Sequence, residues 1–151
     1  MFSSQDKLFM ERAIELAKES FDDGEVPVGA VIVQNEMIIG EGKNKVIFEN
    51  DVSSHAEINA IRAASKKIKN YRLNDCSMYV TLEPCHMCAK AAVDARMSSI
   101  IFAASEPKTG SIISIDNFFD KKELNHNPKY QHGLLKDESS MLLKDFFRLR
   151  R

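Results

Sequence analysis

The stretch Ser77-Met78-Tyr79-Val80-Thr81-Leu82-Glu83-Pro84-Cys85-His86-Met87-Cys88 passes from one type of secondary structure straight into another. Ser77 to Leu82 is rich in β-branched and aromatic residues and reads as a strand. Pro84 suits the first turn of a following helix, because a proline there surrenders only an amide that has no helical partner. Downstream, Ser99-Ile100-Ile101-Phe102-Ala103 reads as the next strand. Upstream, Val26 to Val33 is nearly continuously apolar, Gln34-Asn35-Glu36 reads as a turn, and Met37-Ile38-Ile39-Gly40 returns as a hairpin partner. Helices fill the intervals. Ser3 or Ser4 can cap one whose apolar positions are Met10, Ile14, Ala17 and Phe21, ending near Asp22-Asp23-Gly24. A second begins near Ser53-Ser54-His55, where a serine can cap, and carries Ile58, Ile61 and Ala64 before the basic run Lys66-Lys67-Ile68-Lys69. A last one runs from about Asp137 to Arg148. Strands separated by helices of this length favour a layered α/β sheet whose opening pair is antiparallel.

With 151 residues, 44% of them hydrophobic, the chain is the size of one domain spanning 1–151 and can bury a core without disulfides. Lys and Arg number 21 against 22 Asp and Glu, so a net charge of −1 offers no global field for polyanions. Contact with nucleic acid must therefore be local. The first residues, Met1-Phe2-Ser3-Ser4-Gln5-Asp6-Lys7, do not read as a secretory leader, and no apolar run of about eighteen residues occurs. The expectation is no membrane and no secretion. Three cysteines, an odd number, fit a reducing cytoplasm in which thiols are ligands or core residues.

The chemistry concentrates in His55-Ala56-Glu57 and Pro84-Cys85-His86-Met87-Cys88, each at an expected helix start. Cys85 and Cys88, at i and i+3, share a helical face, so one metal can reach both sulfurs. Alone, such a pair is equally a redox pair, half of a structural zinc site, or two buried small side chains. Adding His55 gives three ligands. Structural zinc usually takes four protein ligands, whereas catalytic zinc keeps three and leaves a position for water. Cys76 reads as a buried or half-buried thiol. His86, turned roughly 100° from its neighbouring ligand, reads as a surface or supporting residue. Two thiolates cancel the charge of zinc and leave it a weaker acidifier of water, so a base is needed nearby. Glu57 can be that base, or merely a first-turn acid favouring the helix dipole. On a regular helix i and i+2 face nearly opposite ways, which requires His55 to lie at the cap or first turn.

H-x-E followed by P-C-x-x-C resembles the signature of the zinc-dependent cytidine deaminase-like superfamily. Glu25-Val26-Pro27-Val28-Gly29-Ala30-Val31, Tyr71-Arg72-Leu73, Met78 to Cys85, Asn125-His126 and Asp145-Phe146-Phe147-Arg148 together resemble its bacterial tRNA-specific adenosine deaminases. That resemblance implies a three-layer α/β sandwich with a central mixed five-stranded sheet. It implies hydrolysis of adenosine to inosine at the wobble position of an arginine tRNA anticodon, by a cytoplasmic homodimer with one Zn2+ per subunit. His55, Cys85 and Cys88 would be the zinc ligands and Glu57 the proton shuttle. Asn44 and the amide of Ala56 would contact the purine, and Val26 and Pro27 would line the pocket or simply form a strand entrance. An anticodon-loop base is unpaired, so drawing it into a pocket costs only unstacking.

Lys43, Lys45, Arg148, Arg150 and Arg151 are candidates for phosphate contacts or ordinary solvated charges. Phe146 and Phe147 would stack on a base or divide between core and surface. His86 and Lys90 depart from the family pattern, where Val and Gly are usual. So does Ile112-Ile113-Ser114-Ile115, which lacks a second glycine-serine pair after Glu106 to Ser111. A deaminase of a free base or nucleoside, of guanine or cytosine type, would share every catalytic residue, and a silent zinc-bearing RNA-binding subunit would have little use for Glu57.

Overall fold

A computed structural model describes residues 1–150; Arg151, one of the candidate phosphate contacts, lies outside the described residues. Helix α1 covers Ser4–Asp22. Ser3 is its cap: the Ser3 hydroxyl accepts from the Asp6 amide at 3.0 Å and the Asp6 carboxylate accepts from the Ser3 amide at 2.9 Å. Strands β1 (Gly29–Gln34) and β2 (Met37–Lys43) form the expected hairpin. Asn35 and Glu36 at its tip have φ of 51° and 63°, the left-handed pair that matches the twist of the flanking strands.

The remaining elements are the short α2 (Val46–Glu49), α3 (Ala56–Ile68), β3 (Cys76–Leu82), α4 (His86–Asp94), β4 (Ser99–Ala104), a 3-10 turn at Phe118–Asp120, β5 (Lys129–His132) and α5 (Lys136–Leu149). The sheet order is β2-β1-β3-β4-β5, with β1 antiparallel to both neighbours and β3, β4 and β5 mutually parallel. The sheet is mixed and five-stranded, as the family resemblance implies. Its fifth strand has no apolar pattern to betray it: Lys129, Gln131 and His132 are exposed at the edge beyond β4.

Alternation along the central strands separates two cores. Val31, Val33, Tyr79, Ile101 and Ala103 pack against Met10, Ala13, Ile14 and Leu16 of α1, with Leu142 of α5 beside them. Ala30, Ile32, Met78, Val80, Ile100 and Phe102 face the other way, onto Ala56, Ala60 and Ala64 of α3 and Ala89, Ala92 and Val93 of α4. Helix, sheet and helix therefore form three layers.

Three local expectations shift. The first strand begins at Gly29 and not at Val26, because the Val28 amide donates to the Val26 carbonyl at 2.9 Å and closes a tight turn about Pro27. No serine caps α3: His55 itself is the cap residue, with extended backbone at φ −77°, ψ 154°. Pro84 precedes α4 without entering its first turn, since Cys85 takes the cap position at φ −76°, ψ 176°.

Small residues let α3 lie unusually close to β2. A Cβ on Gly42 would stand 2.2 Å from the Ala56 carbonyl oxygen, and one on Gly40 would stand 2.6 Å from that of Ala60. Neither obstacle is a flexible side chain, so the helix would have to move. Gly42→Ala is expected to cost about 1–3 kcal/mol of folding stability by denaturant unfolding; a midpoint equal to the parent's would contradict backbone-to-backbone seating.

Candidate metal centre and base pocket

Two helix starts meet at the carboxyl end of β3. His55 at the head of α3 turns its Nδ1 toward the head of α4, 3.5 Å from Cys88 Sγ and 3.7 Å from Cys85 Sγ. The three donor atoms all lie within 4.8 Å of one another and form a group that could hold a metal ion. With zinc–sulfur bonds of about 2.3 Å and zinc–nitrogen bonds of about 2.1 Å, tetrahedral ligands stand roughly 3.6 Å apart, so the donors are already at ligand spacing. Their protonation also fits a cation. Donation from the Cys88 thiol, with His55 beside it, pulls Cys85 down to about 3. The bond to Cys85 raises His55. Cys88, giving its proton to Cys85 in a buried position, is raised. These groups share protons that a divalent metal would displace.

Glu57 is 4% exposed and faces the same centre, with Cys88 Sγ within hydrogen-bonding reach of its carboxyl. Burial is the main cause that pushes it up to about 7. The i, i+2 problem is solved by the extended cap: because His55 precedes the first helical residue, it and Glu57 converge.

Beside this group is a cavity of about 220 Å³ lined by Val26, Val28, Asn44, His55, Glu57, Leu82, Glu83, Cys85, Glu106 and Thr109. Its size, below the roughly 300 Å³ usual for whole small-molecule sites, suits a base with its sugar left outside. Asn44 faces it with a side-chain amide that makes no hydrogen bond among the described residues, while its main chain is held by the Val28 carbonyl at 3.2 Å and the Ser20 hydroxyl at 3.1 Å. Ala56 is buried as the first residue of α3, where helical amides lack internal partners. Val26 lines the cavity. Pro27 does not: it is buried at the centre of its turn, and Val28 takes the lining position.

Residues 3–151 match a family model described as MafB19-like deaminase. The tRNA-specific adenosine deaminase of Haemophilus influenzae is 46% identical over 150 residues, spanning 99% of this chain and 87% of the relative. That of Aquifex aeolicus is 41% identical over 140 residues, spanning 93% and 92%. The chain belongs to the tRNA-specific adenosine deaminase family. A solved chain from biochemical and structural studies of A-to-I editing by tRNA:A34 deaminases at the wobble position of transfer RNA is 39% identical. It superposes with a TM-score of 0.88 over 90% of this chain and 99% of its own. A guanine deaminase from Nitrosomonas europaea, 23% identical with a TM-score of 0.77 over 97% of this chain and 85% of its own, shares the fold.

Around the pocket of this tRNA-specific adenosine deaminase family member, the basic residues differ in availability. Lys43 is engaged by Glu19 and Asp23, both at 3.2 Å, and so is not a free phosphate ligand. Arg148 pairs with Asp145 at 3.0 Å, and Arg150 lies 4.2 Å over the Phe146 ring. Lys45 makes no ion pair among the described residues. Phe146 is buried against Phe21 while Phe147 is half exposed, the division between core and surface that adjacent aromatics on a helix favour. His86 bonds to Asp116 at 3.1 Å and points away from the metal donors, and Cys76 is fully buried. Val28, Leu82, Glu83, Glu106 and Thr109 escaped the sequence reading. The alternation Val26–Val28 and the place of Leu82 and Glu83 just before the Cys85 donor could have pointed to three of them, whereas Glu106 and Thr109 arrive through the path of a loop.

Unfolded, Glu57 titrates near 4.5, and folded, near 7, so between these values the native state holds more protons and loses stability as pH rises. After removal of metal with a chelator, Glu57→Gln is expected to gain stability over the parent as pH is raised from 4.5 to 7. Denaturant midpoints at both ends of the window measure it, and a difference that does not change with pH would contradict the buried-carboxyl account.

Proposed function

We propose that this chain, as a single domain, hydrolytically deaminates adenosine to inosine at the wobble position of tRNA, with one Zn2+ held by His55, Cys85 and Cys88. The observation that carries the reading is a buried carboxyl, Glu57, set against a three-donor metal group at a base-sized cavity. Relatives named tRNA-specific adenosine deaminase, matched along nearly the whole chain, support the substrate. The homodimer and the cytoplasmic setting implied by the sequence resemblance belong to the same reading, and three unpaired cysteines suit a reducing compartment. Among the described residues, no helix is long and apolar enough to cross a membrane.

Zinc in this group supplies Lewis acidity to a water molecule. Glu57 takes one proton of the attacking water and returns it to the purine ring nitrogen as C6 becomes tetrahedral, then takes the second from the new C6 hydroxyl and passes it to the leaving amine as the carbonyl forms. Its burial, which weakens the acid, makes the carboxylate a stronger base for the first of these transfers. The free Asn44 side chain and the Ala56 amide hold the purine edge, and Val26 and Val28 close on its face. Lys45, which makes no ion pair among the described residues, is one basic side chain available to a flanking phosphate.

Purified protein is expected to release ammonia from an anticodon stem-loop bearing wobble adenosine and far less from free adenosine or guanine; reaction of the free compounds alone would replace this reading with a nucleoside or base deaminase. Glu57→Ala should retain zinc by elemental analysis while turnover falls by about 100-fold or more. Undiminished turnover would remove Glu57 from the proton path.

A further inference from the structure

Glu83 is 2% exposed and follows β3, two residues before a metal donor, yet its carboxylate points to neither the metal group nor a basic side chain. It is filled by a loop. One oxygen accepts from the Ile112, Ile113 and Ser114 amides at 3.0, 2.8 and 3.0 Å, and the other accepts from the Glu106 amide at 3.0 Å and from the Ser114 hydroxyl. The same loop is pinned once more where Ser111 donates its amide to the Pro84 carbonyl at 3.0 Å. There is no slack: a Cβ on Gly110 would stand 2.3 to 2.6 Å from the carboxyl group of Glu83. A buried carboxylate can be satisfied this fully by main-chain donors only if the backbone wraps around it, so the anion fixes the path of residues 106–114.

That path matters because Glu106 and Thr109, carried on the loop, form a wall of the cavity facing Val26, Val28 and Asn44. We propose that Glu83 is a positioning residue for the substrate side of the pocket: its carboxylate holds the loop 106–114 in the place where that loop meets the bound base and its flanking sugar. The inference rests on the substrate reading above for what enters the cavity. Because the metal donors are fixed by helix starts and Glu57 by α3, releasing the loop acts on substrate binding more than on the proton transfers.

In Glu83→Gln, whichever position the NH2 group takes confronts a main-chain donor with a donor: the Glu106 amide bond is lost if it replaces the oxygen facing Glu106, where the Ser114 hydroxyl can turn to accept, and three amide bonds if it replaces the other, all at nearly constant volume. Gly110→Ala attacks the same contact from the loop and leaves Glu83 in place, which covers the case in which Glu83→Gln fails to fold. For both variants, KM for the wobble-adenosine stem-loop is expected to rise by about tenfold or more, with a smaller fall in kcat. Zinc content should stay at the parental level, and hydrogen exchange should accelerate at the Ile112, Ile113 and Ser114 amides. Parental KM, or parental exchange at those amides, overturns the proposal. Loss of zinc with collapse of kcat overturns it too, assigning Glu83 to support of the α4 ligands. If the parent itself does not turn over the stem-loop, the substrate reading is what fails, and the exchange rates then decide alone whether Glu83 holds the loop.

Discussion

Between β2 and α3 the packing is backbone against backbone: a single added carbon on Gly42 would overlap the Ala56 carbonyl, and one on Gly40 that of Ala60. This close seating places the head of α3, and with it His55 and Glu57, at a fixed height above the end of the sheet. It also fixes the exit of β2, because the Asn59 side-chain amide on α3 donates to the Lys43 carbonyl at 2.9 Å and to the Ser54 hydroxyl at 3.1 Å. Asn44 is the next residue along. Metal donor, buried carboxyl and pocket amide are thus set by one contact, and Ala56, Ala60 and Ala64 make that contact possible by having no side chain beyond Cβ.

Both metal-facing helix starts depart from what helix stability alone would select. Cap positions favour Ser, Thr, Asp or Asn, whose side chains satisfy the first amides and are worth about 1 kcal/mol each. Here His55 and Cys85 occupy the caps and make no side-chain capping bond. Their extended backbones swing the side chains off the helix surface and toward one another, and the forgone caps leave imidazole and thiol free for a cation. The first amides of both helices, that of Ala56 among them, are left without a partner in their own helix. Weak capping and a working site are the same arrangement.

Much of this was legible in the sequence. Alternating strands, the turn at Gln34-Asn35-Glu36 and an α1 cap at Ser3 or Ser4 are local, and the chain signals them. The metal group was legible because its spacing is local on α4 and because the i, i+2 relation of His55 and Glu57 already required a cap. What escaped depends on long-range closure. β5 is polar and takes its place from pairing with β4. Glu83 looks in sequence like any acid before a proline, and its role exists only once a loop more than twenty residues downstream folds over it. Lys43 reads in sequence as a phosphate contact or a solvated charge, and only the fold, which sets Glu19 and Asp23 from α1 and its C-cap beside it, decides how it is engaged. Of the two readings of Pro27, pocket wall or strand entrance, the structure favours the second, since the strand starts two residues after it, at Gly29.

The central claim is a metal centre with three protein donors and one position open to water. X-ray absorption at the zinc edge of the protein as purified tests it most directly. The account predicts about two sulfurs near 2.3 Å, one imidazole nitrogen near 2.0–2.1 Å and one further light atom. A shell with four protein donors, as in a structural site, or a zinc with fewer than two sulfurs, would contradict it.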